Sequence, residues 1–577
     1  MLNRKKEKRL GIFVTYDKEG IIDDYITFLL HSIKPYLSEM VIVCNGFLQK
    51  EEYNKLYFFT DKIFLRENNG YDIASWKMII LQYIEENKIQ KFDEIILFND
   101  SFYGPIFSFG EVFEKMDSQN IDFWGLTKHP ESYEIGRGEI PEHIQSYFIG
   151  IRSRLFFSED FKKYWEDIDI SNKNLLDAIL QHELFFTSNF SMKGYTWCTY
   201  IDAKELESKN IHKNYNQYYL SPLELIVNYR YPIIKKKALS DKNLQAVYGE
   251  QPLEVINYVS ENTNYNCNLI WQNLIRKFSK SKLYESFHLH FPLSTKISSR
   301  KVLLKKKFLL YIVGEKDDAK IIDENVLSMD VVWKKENFEL DKINPKQISG
   351  YDFVGKIYLA SHDDKLAYLH QWEIVWNNMF ENASYLQGVC ELFEKYSFLG
   401  IVYPLRADEP MEMNSFEKES FWCRTEYIQY PDKYLYGTIS TEKHCALRVK
   451  QNGQIIDNIL KKEEVPDIFN KKDVFKNPKL LEYINQLDSI YVYGTGIYGR
   501  RMIEILRENG KEAKSFVVSD GQSLNKVIDM DVMTFSELQQ SVEWNSKTGL
   551  IIALSKKVQQ EIANIIRESE ISNIFFL

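Results

Sequence analysis

Cysteine is scarce in this chain and never paired. Cys44, Cys198, Cys267, Cys390, Cys423 and Cys445 are scattered over 577 positions without a CxxC, so neither a thiolate zinc site nor a disulfide framework is signalled. Positive charge is in deficit as well. A net charge of −9 argues against a nucleic-acid partner, because phosphate contacts need a basic face. Long apolar runs are missing too: no window approaches the roughly 18 apolar residues of a spanning helix. The N-terminus starts charged but continues without an apolar stretch. These absences predict a cytoplasmic protein. Local basic runs, "NRKKEKR" at the start, "IIKKKAL" near Lys235 and "SRKVLLKKKF" at Ser299 to Phe308, are solvated strand flanks or contacts to an anionic membrane surface.

What is present is length and alternation. A chain of 577 residues exceeds one hydrophobic core, and two to four domains are expected. The first 130 residues alternate strand and helix patterns: "RLGIFVTYD", a helix ending near Pro35, "EMVIVCNG", "DKIFLREN", a helix with Ile73, Trp76, Ile80 and Ile84 on one stripe, then "DEIILFND". That alternation predicts a mostly parallel sheet covered by helices. Ligands of such sheets bind beyond the carboxyl ends of the strands. Asp17, Asn45, Asn68 to Asp72 and Asn99 to Ser101 therefore share one rim. Four consecutive polar strand ends are more specific than any one of them.

A nucleotide-diphosphate sugar at this rim would need its leaving diphosphate neutralised, an acceptor hydroxyl deprotonated, and its base and ribose oriented. Asp100 is placed to meet a divalent cation, magnesium or manganese by its hard oxygens. Asn99 or Ser101 would touch ribose or a metal-bound water; an Asx turn closing the strand is the structural alternative. Asn69-Gly70 gives a backbone that a ligand can approach closely. Asp72 caps the next helix, whose N-terminus favours a phosphate or polar sugar group. Arg66 pairs either with the diphosphate or with Asp72. Glu183, in "LQHELFFTSNFSMKGY", is the candidate general base, with an ordinary exposed helix glutamate as its alternative. His143 and Gln145 in "EHIQSYFI" line an acceptor or sugar pocket or are structural, and Trp124 in "IDFWGLT" is grouped with them.

Two further segments follow. Residues 286–478 start a second α/β unit with "KFLLYIVGEKDD", "YDFVGKIYLASHDDK", a helix rich in Trp and Leu, and "YSFLGIVYPLRADEP". Residues 479–577 contain "SIYVYGTGIYGRRMIEIL". Here Gly494, Gly496 and Gly499 form a GxGxxG between a strand and a helix. Asp520, 21 residues past Gly499, is positioned to accept ribose hydroxyls.

"RENNGYDIASWK", "DEIILFNDSFYGPIF", "IDFWGLT" and "HIQSYFI", in this order and at these intervals, resemble the rhamnan synthesis F family of bacterial glycosyltransferases, which extend rhamnose-containing cell-wall or capsular polysaccharides. The resemblance runs over residues 10 to about 240, more weakly beyond. It implies a GT-A-type first domain over residues 1–285, dTDP-L-rhamnose as donor, a lipid-linked glycan acceptor at the inner membrane face, and inversion through one general base. It also implies peripheral membrane contact and other polysaccharide-assembly enzymes as partners. On the wider GT-A pattern, Asn69 to Asp72 match the Asn-x-Gly segment, Asn99-Asp100-Ser101 the DxD and Glu183 the late acidic base. Only one carboxylate remains of the DxD, so either a metal at Asp100 or a cationic side chain faces the diphosphate. The second segment reads as a degenerate transferase-like domain. The third resembles appended Rossmann-like domains, with no firm cofactor. Two other readings stay open: a non-catalytic assembly protein of a polysaccharide complex, and an NAD(P)-dependent enzyme working through the GxGxxG.

Overall fold

The computed structural model describes residues 7–134, 138–170, 182–202, 221–240, 252–287, 289–293, 306–313, 330–336, 338–358, 383–404, 420–441, 478–520, 526–527 and 530–554, with separate positions between 558 and 577. The chain is mixed α/β and divides into two compact units. One comprises Met1–Tyr265 with Lys472–Leu577, the other Asn266–Lys471.

In the first unit, β1 (Arg9–Tyr16), β2 (Glu39–Asn45), β3 (Ile63–Arg66) and β4 (Glu94–Asn99) alternate with α1 (Asp24–Ile33), α2 (Lys50–Tyr57) and α3 (Tyr71–Glu85). β1 and β4 are buried on both faces almost throughout, as strands covered on both sides must be. β5 (Phe102–Tyr103), α4 (Phe109–Asp117) and β6 (Phe123–Gly125) follow. Across the seven-stranded sheet the order is Trp197–Thr199, β6, Phe148–Arg152, β4, β1, β2, β3. Phe148–Arg152 runs antiparallel to both neighbours and every other pairing is parallel. The expected stripe of α3 is real: Ile73, Trp76 and Ile80 are buried in the core, and Ile84 packs partly against it. All four parallel strands β1 to β4 thus end on one edge, and that edge carries the polar residues.

The sheet of the second unit has the order Asp330–Lys334, Phe308–Val313, Phe353–Tyr358, Phe421–Arg424, Leu399–Pro404, Leu435–Thr441, His290–Leu293. Its one antiparallel strand is Phe421–Arg424. The first five strands repeat β2, β1, β4, Phe148–Arg152 and β6 in sheet order, chain order and direction, with no counterpart of β3 among the described residues. The helix rich in Trp and Leu expected here lies outside the described residues.

The C-terminal sheet places Met530–Thr534, Ala513–Val518, Ser489–Tyr493, Thr548–Ile552 and Ile574–Phe576 side by side and parallel. This is a doubly wound order.

Candidate active site

The turn before α3 is built from two left-handed residues, Gly70 at φ 75° and Tyr71 at φ 52°. A Cβ on Gly70 would lie 2.7 Å from the Ile170 carbonyl oxygen and 2.8 Å from the Ala74 Cβ. Glycine is therefore required there by conformation and by space. The turn swings Asp72 into the first turn of α3 and toward the end of β4. There Asn99 Nδ2 donates to Asp72 Oδ2 (2.7 Å). Asn99 Oδ1 accepts from the backbone N–H (3.1 Å) and hydroxyl (2.7 Å) of Ser101, so the strand does close in an Asx turn. Asp100 accepts from Thr15 Oγ1 (3.0 Å), and its carbonyl accepts from the Tyr25 hydroxyl (3.3 Å).

A residue absent from the sequence-level site completes this cluster. Ile234–Lys235 pairs antiparallel with β5, and this short ladder delivers the Lys235 ammonium to Ser101 Oγ (2.8 Å). Lys235 is buried and sits 4.0 Å above the Tyr147 ring. The next residue, Lys236, hydrogen-bonds the Tyr25 hydroxyl. Composition offered no signal, because a basic triplet reads as a solvated flank until its strand is paired.

Glu183 lies just before the helix Leu184–Met192. Thr187 Oγ1 accepts from the Ile144 N–H (3.0 Å) and docks that helix, and Glu183 Oε2 accepts from Ser146 Oγ (2.9 Å). Its neighbour His182 is buried, hydrogen-bonded to the Tyr164 hydroxyl (2.6 Å), and burial holds it neutral with a pKa of about 3.

Burial raises the Asp72 carboxyl to about 7; the Asp100 and Glu183 charges add to the rise, while Asn99 and Lys235 oppose it. Burial likewise lowers Lys235 to about 7, helped by Lys236 and Lys237 and opposed by Glu183 and Asp72. Asp72 thus feels the charges of Asp100 and Glu183, and Asp72 and Glu183 both act on one buried amine. A pair titrating near neutrality from opposite sides is typical of functional clefts.

Other expected residues are placed differently. Trp124 is a correction: it is fully buried, and its indole donates to Glu94 Oε1 (2.7 Å) at the opposite end of β4. It therefore lines no sugar pocket. Arg66 makes no direct salt bridge to Asp72, whose charge acts on it through space; Asn45 Oδ1 (2.9 Å), Ser75 Oγ (3.3 Å) and the carbonyls of Asn69 and Tyr71 take its guanidinium. Arg66 braces the loop that holds Asp72. The Asn69 side chain turns to Glu67 (3.1 Å). Asp17 Oδ1 accepts from the backbone of Glu19 (2.8 Å) and Ile21 (3.3 Å), capping its own turn. Gln145 Oε1 accepts from Thr127 Oγ1 (3.1 Å), and His143 Nδ1 meets the Pro141 carbonyl (2.7 Å) while its ring stacks on His129 at 5.2 Å. Both are buried.

In the C-terminal sheet Gly494 has φ 107°, and a Cβ on Gly499 would overlap the Gly494 carbonyl. Gly496 is open. These are the turn and close approach that GxGxxG implies. Asp520 accepts from Ser536 N (2.9 Å) and Oγ (2.7 Å), bonds that hold its pKa below the usual range. It thereby ties the end of Ala513–Val518 to the first turn of the helix Phe535–Ser541, whose own cap is Thr534.

Among the described residues no group of three or more His, Cys, Asp or Glu side chains is arranged to hold a metal ion, and no helix is long and apolar enough to cross a membrane.

A family model described as rhamnan synthesis protein F matches residues 40–312, which bears out over that stretch the resemblance carried by the motifs. No curated protein matches. Among solved structures, the chain is similar to mouse xyloside xylosyltransferase 1 in its apo form, with 10% identity over 34% of this chain and 85% of that one at a TM-score of 0.21. It is also similar to a cytidylyltransferase from Leptospira borgpetersenii serovar Hardjo-bovis (12%, 40% and 98%, TM-score 0.21). A third is a 4-diphosphocytidyl-2C-methyl-D-erythritol synthase (11%, 31% and 100%, TM-score 0.20). These superpositions are too loose to transfer any residue's role.

Proposed function

We propose that the first unit is an inverting glycosyltransferase of GT-A type. It takes a nucleotide-diphosphate sugar, dTDP-L-rhamnose, as donor and a lipid-linked cell-wall or capsular glycan as acceptor. The observation that carries this reading is the constellation at the end of β4: Asp72, Asn99 and Ser101 hydrogen-bonded in series to the buried Lys235 ammonium, with Glu183 acting on the same two charges. The match to rhamnan synthesis protein F supports the sugar and the acceptor class.

Chemistry follows from the groups present. Glu183 takes the proton of the acceptor hydroxyl while that oxygen attacks the anomeric carbon from the face opposite the diphosphate. The bond from that carbon to the phosphate oxygen breaks, and its electron pair goes to the diphosphate. Lys235 meets this charge, and it does so from a dry site where its field is little screened. A divalent cation does not fit the donor set: Asn99 is committed to Asp72 and Ser101, burial favours a protonated Asp72 so that Asp100 is the ionised carboxylate left there, and an ammonium occupies the Ser101 side. Asp100 is left to accept hydroxyl hydrogen bonds from ribose or sugar. Tyr16 and Phe47, 47% and 59% exposed at the ends of β1 and β2, offer aromatic faces for the base. A lipid-linked acceptor would bring the protein to the inner face of the plasma membrane, beside other polysaccharide-assembly enzymes.

The test is transfer from dTDP-L-rhamnose to a rhamnosylated oligosaccharide by purified protein. Glu183→Gln should abolish turnover and keep donor binding. Lys235→Met should weaken donor binding roughly 10- to 100-fold, the value of a hydrogen bond to a charged group, and chelator should leave wild-type activity intact. No product with any thymidine- or uridine-diphosphate sugar, or wild-type activity in Glu183→Gln, overturns the proposal.

A further inference from the structure

A second concave site lies on the flank of the first unit. It encloses about 550 Å³ between α1, the segment 105–109, Arg230 and the turn that follows the helix Pro252–Asn262. That volume is within the range of small-molecule sites, roughly 300–1,000 Å³.

The lining limits the ligand. Its two ionised side chains are paired with each other: Arg230 donates to both oxygens of Glu111 at 2.8 and 2.7 Å. The cleft therefore carries no net charge, which disfavours a phosphate or nucleotide. Aromatic surface is plentiful. Phe28 and Tyr265 meet edge to face at 5.3 Å, and Phe107 carries the Arg230 guanidinium at 4.2 Å over its ring. Two of the polar side chains spend a donor on their own helices. Ser32 Oγ donates to the Phe28 carbonyl (2.8 Å) and Asn262 Nδ2 to the Tyr258 carbonyl (2.9 Å), leaving lone pairs for the occupant. Asn264, exposed at the tip of the turn, adds an amide. A neutral molecule that supplies hydroxyl donors around an apolar ring face satisfies all of this, and a sugar is such a molecule.

Placement ties the cleft to the reaction. Tyr25, which donates to the Asp100 carbonyl, stands three residues before Phe28 and seven before Ser32 on α1, on one helical face. Arg230 precedes Lys235 by five residues. We propose that this cleft is a subsite for a neutral oligosaccharide and holds units of the acceptor glycan remote from the reacting hydroxyl. The sugar-binding inference stands on the lining alone; calling its ligand the acceptor rests on the proposed glycosyltransferase function.

The experiment measures binding of neutral oligosaccharides of rhamnose, glucose and N-acetylglucosamine to the full chain by calorimetry, with dTDP as a control ligand. At least one should bind wild type, and Phe107→Ala and Asn264→Ala should each weaken it about tenfold or more while dTDP affinity stays unchanged. Asn264→Ala sits on an exposed turn, so an unchanged melting temperature removes misfolding as a cause. In transfer assays both variants should raise KM for a hexasaccharide acceptor and leave a disaccharide unaffected. If none of the three oligosaccharides binds, or both variants bind like wild type, the subsite is refuted while the transferase reading stands. If binding is lost in the variants but no sugar is transferred by wild type, the subsite survives and the proposed function fails.

Discussion

Asp72 holds its proton up to about 7 in the native state, whereas the unfolded chain gives it up near 3.8. The folded protein thus binds more protons between these values, and the stability from this group is lost as pH rises through about 7. Lys235 works in the opposite sense: its pKa falls from 10.5 to about 7, so its contribution is present above the higher value and lost as pH falls through the lower. Melting curves of wild type and Asp72→Asn should converge near pH 4 and separate toward pH 7, with the variant the more stable. Curves that stay parallel would show that Asp72 is not buried as described. Donor binding should carry a proton signature as well. A diphosphate beside Lys235 favours its charged form, so binding at about pH 7.5 should take up a proton. Calorimetry in buffers of different ionisation enthalpy reads this uptake, and Lys235→Met should abolish it.

At the scale of elements, the site depends on how three segments are turned. The Gly70-Tyr71 turn aims Asp72, the two-residue ladder at β5 delivers Lys235, and the Thr187 bond to Ile144 seats the helix behind Glu183. Gly70→Ala tests the first. A left-handed alanine with its Cβ 2.7 Å from the Ile170 carbonyl should cost about 1–3 kcal/mol, read by urea unfolding of the first unit. Donor affinity should fall with it, since Asp72 and Arg66 are held by the same loop. A variant with native stability and native affinity would show that the turn is not the one described.

For the whole molecule, two compact units each have a sheet and a core of their own. Chains of this size seldom unfold in one step. Calorimetric melting should show more than one transition, and dTDP-sugar should raise the one that contains the first unit by preferential binding to the native state. A single transition, or an equal rise of all transitions, would refute separate units. The recurrence of five strands in the same order and direction in the second unit extends the α/β pattern to that unit. An Asn-Gly-x-Asp turn and an Asn-Asp strand end are absent from that sequence.

The sequence by itself determined strands β1 to β4, the buried stripe of α3 and the polar edge of those strands, because these follow from local periodicity and from which residues can end a strand. It also singled out Asp72, Asn99, Asp100 and Ser101, because a cluster of polar strand ends is visible residue by residue, and Glu183 as a carboxylate on a late helix. Only the tertiary structure decided which of those polar groups remained available. Arg66 is taken up by the Asn45 amide and nearby carbonyls, Asp17 by backbone N–H groups, and Trp124 by the carboxylate of Glu94. Each choice depends on neighbours that a linear reading cannot place. Lys235 is the clearest case. It meets Ser101 across 134 residues, and its altered pKa comes from burial, a property of the packed chain that no basic triplet reveals.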